Sequence, residues 1–250
     1  MKKSFLNHSN PLLTVMLQCE TPEVAIGRIR NANCLGADAY GLQVESLKTE
    51  FQNPDTFKRI FAEMKDKPCY VTNYRYAYNQ NLTDDELASG IITLAKSGAT
   101  LCDVMGDLYD RQPDEVAVSE EAIKKQMELI DELHKKGAEV LMSSHIFKFT
   151  SAERVLEIAL EHQRRGADIS KIVTQAHSTE EEIENLRILN LLKEKVDIPV
   201  LFLHNGHSRV FRKISGEYGN CMYLCVYEYD EFATSGQPLL ADVKPIVDHI

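Results

Sequence analysis

Short apolar runs alternate with segments of helical periodicity along almost the whole chain. The apolar runs are bounded by polar or turn residues, as buried β-strands are. Between them, apolar positions recur every three or four residues, for example over 117–136 and 151–165, and this period predicts helices. The predicted strands are 12–18, 39–44, 69–73, 100–105, 139–143, 169–173, 200–203 and 221–227.

A Gly-Ala pair links four predicted helices to the strands that follow them. The pairs begin at Gly36, Gly98, Gly137 and Gly166. Glycine readily adopts the left-handed conformation in which many helices end. The repeat therefore predicts a helix-to-strand joint at each of these positions.

Eight strands that alternate with helices are typical of a closed parallel barrel. We therefore predict an α/β fold, a (β/α)8 TIM barrel, in which residues 1–250 form a single domain of the usual barrel size. The main alternative, an open doubly wound sheet, usually has a glycine-rich turn after its first strand. Residues 19–23, which follow the first predicted strand, contain no glycine.

Charge and composition narrow the range of partners. The chain has 28 Lys and Arg against 38 Asp and Glu, so its formal net charge is −10 and its pI is about 5.3. This balance argues against nucleic acid or an anionic membrane as the main partner. The apolar run 12–17 is shorter than a signal-peptide core of roughly 7–15 residues or a membrane span of about 20.

The six cysteines indicate a reducing environment and no metal site. None belongs to a Cys-x-x-Cys pair or alternates with histidines at the spacing of metal ligands. We expect reduced core thiols and a cytoplasmic protein. The cysteines are Cys19, Cys34, Cys69, Cys102, Cys221 and Cys225.

The barrel directs attention to the C-terminal ends of the strands, where reactive side chains of this fold lie. Polar residues at these ends are Gln18, Gln43, Glu45, Asn73, Arg75, Asp103, Ser143, Ser144, His145, Lys171, His204, Tyr227 and Glu228. Two of them, a lysine and a histidine, suggest covalent chemistry.

Lys171 lies inside the apolar segment Ile169-Ser-Lys-Ile-Val-Thr, which is predicted to be a buried strand. The two-residue period puts Ile169, Lys171 and Val173 on one face, and we expect that face to line the barrel interior. Burial lowers the pKa of an amine, and the neutral amine can attack a carbonyl carbon. The alternative is a lysine that reaches water at the strand end or pairs with a carboxylate.

His145 ends the preceding predicted strand, so it can stand beside Lys171. An imidazole next to an imine-forming lysine can transfer the protons that imine chemistry requires. The alternative is a hydrogen-bonded structural histidine. Two further histidines, His134 and His162, are expected on exposed helix faces.

The segments around these two residues resemble the type I 3-dehydroquinate dehydratases. Ser143-Ser-His-Ile-Phe-Lys-Phe-Thr is similar to the family's Ser-Tyr-His stretch, and Gly166-Ala-Asp-Ile-Ser-Lys is similar to its Gly-Ala-Asp-x-x-Lys motif. Further similarities, in the same order as in the family, extend over nearly the whole chain. They are Gly36-Ala-Asp, Arg75, Asp103-Val, Gly216-Glu and Gly236-Gln.

The resemblance implies a (β/α)8 barrel that uses no metal and no cofactor and often forms a dimer. It implies cis-dehydration of 3-dehydroquinate, a cyclic β-hydroxy ketone, to 3-dehydroshikimate through an imine. Lys171 would be the nucleophile, His145 the general acid and base, and Arg75 and Gln237 would hold substrate oxygens.

Several positions depart from the family pattern. The family's Glu-Leu-Arg-Val-Asp is here Gly41-Leu-Gln-Val-Glu, so an acid is missing, Gln43 replaces the arginine, and Glu45 is the remaining acid. Asn79 aligns with the family's glutamate that partners the catalytic histidine. Asparagine can orient an imidazole but does not increase its basicity.

The family's Ser-Arg pair, whose arginine grips the substrate carboxylate, aligns with Arg212 and Lys213. Lysine would supply a point charge rather than a two-pronged donor, unless Arg212 or Arg209 takes this role. The basic residues of segment 203–215 would also suit a mobile lid.

These departures affect substrate recognition more than imine chemistry. We therefore expect a Schiff-base lyase with a small hydroxy-ketone substrate, 3-dehydroquinate by default, and we expect a homodimer. The alternatives are a dehydratase for another hydroxy ketone or keto-sugar, a class I aldolase, and a ligand-binding protein that does not catalyse a reaction.

Overall fold

The computed structural model describes residues 3–207, 210–234 and 236–249, and in these residues each strand is followed by one α-helix. The strands are β1 (Leu12–Leu17), β2 (Ala39–Gln43), β3 (Cys69–Thr72), β4 (Leu101–Met105), β5 (Glu139–His145), β6 (Ile169–Ala176), β7 (Val200–Gly206) and β8 (Met222–Cys225). The helices are α1 (Pro22–Cys34), α2 (Pro54–Glu63), α3 (Asp84–Ser97), α4 (Glu120–Lys135), α5 (Ala152–Arg164), α6 (Thr179–Lys195), α7 (Val210–Ile214) and α8 (Leu240–Asp248). Single-turn 3₁₀ helices lie at Val44–Ser46, Thr49–Phe51 and Ala77–Asn79.

The eight strands form one parallel sheet that curls into a barrel. Neighbours follow chain order from β1 to β7, and β8 pairs with β1. At the remaining seam, between β7 and β8, a bridge joins Val200 to Asn220. The Asn220 side chain closes this seam further, because it donates to the Phe202 carbonyl (2.8 Å) and accepts from the Phe202 N–H (2.6 Å). The (β/α)8 barrel predicted from the sequence is confirmed.

Apolar side chains pack on both faces of the curled sheet. Alternate strand positions, among them Tyr70, Ile169 and Val173, form a cluster that fills the barrel interior. The other face of the sheet packs against the helices in two further clusters. This arrangement leaves the C-terminal strand ends as the place where polar side chains can meet.

The boundaries agree with the sequence prediction to within a few residues. The strands β5, β6 and β7 continue two or three residues beyond their predicted ends, and β5 ends at His145. All four glycines of the repeated Gly-Ala pairs have positive φ, between +81° and +116°. The predicted helix-to-strand joints are therefore confirmed.

A buried arginine anchors the long loop between β4 and α4. Arg165 donates from Nη1 to the Gly106 carbonyl (3.0 Å) and from Nη2 to the Ala117 carbonyl (2.7 Å), which are near the two ends of that loop. Its Nη1 also donates to Gln126 (2.6 Å), and its Nε donates to Glu161 (2.8 Å). The side chain is 1% exposed, so these contacts are shielded from water and hold the loop in one conformation.

Gly106 allows the loop to pack closely against the barrel, and a methyl group there would prevent this. A Cβ at this position would lie 2.4 Å from the Glu115 carbonyl and 2.9 Å from Ser144 Oγ. We expect Gly106→Ala to lower the free energy of unfolding by about 1–3 kcal/mol, since overpacking costs this much. Urea titration measures the change.

The control is Gly27→Ala on the exposed face of α1, where a Cβ would meet no atom within 4 Å. Alanine is the better helix former, so this variant should be more stable by about 0.5–1 kcal/mol. Equal stabilities of the two variants would contradict the close packing at Gly106.

Candidate active site

The ammonium-bearing side chain of Lys171 lies in the barrel interior. Lys171 is in register with Ser143 of β5 and Leu201 of β7, and the residue is 5% exposed. The residues two positions away on the same strand, Ile169 and Val173, belong to the interior apolar cluster. The two-residue period therefore predicted the face of this lysine correctly.

Three polar groups hold the Lys171 amine. Its Nζ donates to the hydroxyl oxygens of Tyr74 (2.8 Å) and Tyr70 (3.0 Å), and it lies 3.4 Å from Asp103 Oδ2. Asp103 in turn accepts from both tyrosine hydroxyls and from Ser143 Oγ (2.5 Å). We call these four residues, Tyr70, Tyr74, Asp103 and Ser143, the amine cluster.

Burial leaves Lys171 easier to deprotonate than an exposed lysine, although the amine cluster surrounds it. Burial lowers the pKa of Lys171, and the nearby carboxylates of Asp103, Glu115 and Glu45 oppose that shift without cancelling it. Burial also raises the pKa values of the Tyr70 and Tyr74 hydroxyls, and Asp103 raises them further, so both phenols stay protonated. The site therefore combines an amine of lowered pKa with neutral hydroxyl donors.

His145 is fixed by Glu115, which the sequence analysis did not identify. Glu115 Oε2 lies 2.9 Å from His145 Nδ1 and also accepts from the His145 backbone N–H (2.7 Å). Burial would raise the pKa of Glu115, but hydrogen bonds and charge attraction from His145 lower it below its usual value. An ionised Glu115 holds the proton on Nδ1, so the lone pair is on Nε2, for which no partner occurs among the described residues.

The backbone of Glu115 is strained to make this contact. Its φ is +48°, in the left-handed region that non-glycine residues rarely occupy. Strain of this kind persists only where surrounding contacts impose it, and it is common at functional sites. Here the hydrogen bonds of Arg165 to Gly106 and Ala117 fix the loop on either side of Glu115.

Tyr74 stands between Lys171 and His145. Its hydroxyl accepts from the lysine, while its ring meets the His145 imidazole edge to face with the ring centroids 5.4 Å apart. The two candidate catalytic residues are on neighbouring strands, as predicted, with Ser143 opposite Lys171 and Val173 opposite His145. No hydrogen bond joins them directly within the described chain.

A cavity of about 280 Å³ opens beside these residues at the C-terminal end of the barrel. Its lining combines polar, apolar and aromatic side chains. Its lining residues are Tyr74, Arg75, Tyr76, Met105, Glu115, His145, Ile146, Phe147, Val173, Gln175 and Asn205.

Of the two predicted substrate-binding residues that follow β3, Arg75 lines the cavity and Asn79 does not. Arg75 lines the cavity, but its guanidinium is paired with Asp84 (2.7 Å) and Asp107 (2.7 Å). Asn79 is buried and donates to Asn73 Oδ1 (2.7 Å), so the residue that contacts His145 is Glu115 rather than Asn79.

The departures on β2 have a structural consequence. A Cβ at Gly41 would lie 2.2 Å from Met16 Sδ and 3.0 Å from the Tyr70 ring, so these two side chains occupy the space of the missing acid. Gln43 is half-buried at the end of β2, opposite Thr72. Glu45 is 1% exposed and accepts from the Thr72 hydroxyl (2.9 Å) rather than facing water.

Arg212 and Lys213 are adjacent on α7, and of these two cations Arg212 is the buried one. It donates to the His204 carbonyl (2.8 Å) and to Asn205 Oδ1 (2.8 Å), and no described carboxylate lies within ion-pair distance of it. Burial lowers the pKa of Arg212 to about 10. Lys213 pairs with Asp242 (2.9 Å) at the surface, and Arg209 is outside the described residues.

Gln237 lies at the same end of the barrel as Arg212. A Cβ on the preceding Gly236 would lie 3.3 Å from Arg212 Nε and 2.5 Å from Asn205 Oδ1. Gln237 is 4% exposed, and its Oε1 is buried without a hydrogen-bond partner. A buried amide oxygen without a partner is costly and is satisfied when a donor binds.

No group of three or more His, Cys, Asp or Glu side chains in the described part of the chain could hold a metal ion. None of its helices is long and apolar enough to cross a membrane.

The buried Glu45 carboxyl allows a test of this electrostatic arrangement. Burial raises the pKa of Glu45 to about 7, although the hydrogen bonds from Thr72 and from the Tyr74 backbone oppose the shift. A carboxyl with a raised pKa in the folded state stabilises the fold below its unfolded pKa, and this contribution is lost as the pH rises through about 7. Glu45→Gln should therefore gain stability relative to wild type between pH 4.5 and about 7, by on the order of 3 kcal/mol.

Urea titrations over this pH range measure the difference between wild type and variant. The control is Glu121→Gln on α4, whose side chain is 81% exposed. It also removes one negative charge, and its stability difference should change little with pH. A pH-independent difference for Glu45→Gln would contradict the raised pKa.

Comparison with known proteins identifies a family and several relatives of this chain. The sequence model of the family described as Type I 3-dehydroquinase matches residues 13–248. A 3-dehydroquinate dehydratase of Alkaliphilus oremlandii is 33% identical over 125 residues, which are 49% of this chain and 48% of that relative. One of Clostridium kluyveri is 32% identical over 103 residues, 40% of this chain and 39% of the relative. The matched part thus spans about half or less of the length of these curated relatives.

Solved structures of similarly named proteins have the same fold. The 3-dehydroquinate dehydratase of Geobacillus kaustophilus superimposes with a TM-score of 0.83 at 15% identity, covering 98% of this chain and 94% of that one. The type I enzyme of Clostridium difficile gives a TM-score of 0.81 at 16% identity, covering 96% and 92%. The family match spans almost the whole barrel, and the chain therefore belongs to the type I 3-dehydroquinase family.

Proposed function

We propose that this protein dehydrates 3-dehydroquinate to 3-dehydroshikimate through an imine on Lys171. One observation carries the proposal: the buried amine of Lys171 and the oriented imidazole of His145 are both in contact with Tyr74, which lines a cavity. Family membership and the relatives named 3-dehydroquinate dehydratase support the choice of substrate.

Imine formation depends on a neutral amine. Because burial lowers the pKa of Lys171, more of it is uncharged near neutral pH than of an ordinary lysine. The nitrogen attacks the ketone carbon to give a carbinolamine, which takes up one proton from solvent as it expels water and leaves a protonated imine. That cation withdraws electrons from the adjacent carbon, so a proton on this carbon becomes acidic.

His145 moves the protons at carbon and oxygen. Its Nε2 lone pair removes the proton from the carbon next to the imine, and the bonding electrons move into the C=N group to give an enamine. The enamine expels the β-hydroxyl, which takes the proton back from the imidazolium and leaves as water. Hydrolysis of the imine then frees Lys171, and the net change is the loss of one water from the substrate. Glu115 stabilises the imidazolium that forms between these steps.

Substrate binding requires a cation for the carboxylate of 3-dehydroquinate. Arg75 is already paired with two aspartates, and Lys213 is paired with Asp242, whereas Arg212 has no carboxylate partner among the described residues. Arg212 also contacts Asn205, which lines the cavity. We therefore assign the substrate carboxylate to Arg212.

A substrate hydroxyl is the natural partner for Gln237. Its buried Oε1 needs a donor, and the hydroxyl groups of a quinate-type ring supply one. The remaining candidates, Gln43, Glu45, Arg75 and Asn79, would shape the site from behind or at its rim. Homodimer formation, a cytoplasmic location and a hydroxy-ketone as the one small-molecule partner remain predictions.

Steady-state turnover tests the proposed reaction. We expect the purified protein to convert 3-dehydroquinate, with formation of the conjugated enone followed by ultraviolet absorbance. Lys171→Met should abolish turnover, since it removes the nucleophile, yet it should fold because Asp103 keeps three hydroxyl donors. His145→Ala should reduce kcat by about 10²–10⁴-fold, the usual contribution of a positioned acid–base group.

The control is Lys148→Met, which removes a lysine that is 65% exposed. It should leave kcat nearly unchanged. Release of two carbon fragments would identify an aldolase instead, and the absence of any turnover of 3-dehydroquinate by wild type would refute the proposed reaction.

The assignment of the carboxylate predicts a difference between two adjacent cations. Arg212→Met should raise KM for 3-dehydroquinate about 10–100-fold, because a hydrogen bond to a charged group contributes about 1.5–3 kcal/mol. Lys213→Met, in which the lost cation is paired at the surface, should change KM less than about twofold. The reverse order of these effects would transfer the carboxylate to Lys213.

A further inference from the structure

We propose that Tyr74 is a second catalytic acid–base group, which relays a proton from Lys171 to the carbonyl oxygen of the substrate while the carbinolamine forms. The inference rests on the proposed imine and adds a residue to it. In this step the lysine nitrogen forms a bond to the ketone carbon and loses one proton. The carbonyl oxygen gains one proton, and Tyr74 is unchanged at the end.

The position of the Tyr74 hydroxyl supports this role. It is 2.8 Å from Lys171 Nζ, the shortest of the contacts that the amine makes. Tyr74 also lines the cavity in which a substrate would bind. Its hydroxyl is therefore adjacent to the attacking nitrogen and lies on a residue that faces the space for the carbonyl oxygen.

Asp103 and Tyr70 also contact the amine, but neither of them lines the cavity. Asp103 lies 3.4 Å from Nζ with a side chain that is 0% exposed, and it does not line the cavity. Tyr70 makes the same two hydrogen bonds as Tyr74, to Lys171 and to Asp103, but it is completely buried in the barrel interior.

His145 makes no hydrogen bond to the Lys171 amine within the described part of the chain. Its Nδ1 is held by Glu115, and the Tyr74 ring lies against its imidazole. The two groups therefore divide the reaction: Tyr74 acts at the nitrogen and carbonyl oxygen, and His145 acts at the carbon and the leaving hydroxyl.

The hydrogen bonds of Asp103 explain how Tyr74 is freed for the relay. In the resting site the Tyr74 hydroxyl donates to Asp103. When it turns to the substrate oxygen, Asp103 still accepts from Tyr70 and Ser143. Because the pKa of Tyr74 is raised by burial and by Asp103, the phenol accepts one proton as it gives up the other, without a free phenolate.

The pair Tyr74→Phe and Tyr70→Phe tests the relay, since each variant removes one hydrogen bond to Lys171 and one to Asp103. Tyr74→Phe also removes a longer contact with Ser143 Oγ (3.3 Å). The probe is dihydroxyacetone with saturating cyanoborohydride, and peptide mapping measures the rate at which Lys171 is reductively alkylated. We expect Tyr74→Phe to slow this rate about 100-fold and Tyr70→Phe less than about tenfold. The solvent deuterium isotope effect on trapping should fall in Tyr74→Phe and persist in Tyr70→Phe.

Equal slowing in both variants, or an isotope effect that persists in Tyr74→Phe, would overturn the relay and leave Tyr74 a positioning residue. Absence of a Lys171 adduct in wild type would also overturn it. As a check against misfolding, 3,5-difluorotyrosine at position 74 keeps the ring and hydroxyl and should shift the pH dependence of trapping. Dihydroxyacetone trapping stops at the imine and needs no loss of a β-hydroxyl, so failure on 3-dehydroquinate alone would refute the proposed substrate and not the relay.

Discussion

The burial of one amine inside an otherwise apolar barrel is the constraint on which this site depends. A lysine at the position of Lys171 is tolerated only if its nitrogen has hydrogen-bond partners, because an isolated buried charge is very unfavourable. The partners come from β3, β4 and the start of the loop after β3, so the amine cluster joins the strands on the far side of the barrel to β6. Burial lowers the pKa of this amine, and the contacts with Asp103 oppose that shift while they make the burial tolerable.

A second constraint couples the barrel wall to the candidate acid–base residue. The fully buried Arg165 fixes the loop between β4 and α4 at both of its ends, and the loop places Glu115 against His145. The tautomer of His145 therefore depends on an arginine on the outer side of the sheet. Packing of helices against the barrel and the chemistry at its mouth are in this way linked through one loop.

Much of the fold and the pair of candidate catalytic residues could be predicted from the sequence. Hydrophobic periodicity identifies the strands, and the position of Lys171 within a buried strand marks it as unusual because lysine there requires a reason. Local patterns did not reveal Glu115, because its loop has no periodicity and its contact with His145 is made across the fold. Tyr74 was missed because it lies one residue beyond the predicted third strand and reads as an ordinary loop tyrosine.

The wrong predictions concern residues whose partners lie elsewhere in the fold. His162 was expected on an exposed helix face, yet it is completely buried between Ser144 (3.1 Å) and Ser170 (2.9 Å), and burial lowers its pKa to about 3. The sheet supplies hydroxyl partners on its outer face, which the helix pattern alone does not reveal. In the same way, the ionic partners of Arg75 and Lys213 are distant in sequence or on other elements, so their availability for substrate could be judged only in three dimensions.

The central claim, an imine between Lys171 and a hydroxy ketone, is tested most directly by borohydride reduction of the protein with 3-dehydroquinate, followed by intact mass and peptide mapping. The account predicts one stable adduct, with the mass of the substrate or its dehydrated product, on the peptide that contains Lys171. Unmodified Lys171 after reduction under turnover conditions, while product continues to form, would contradict it.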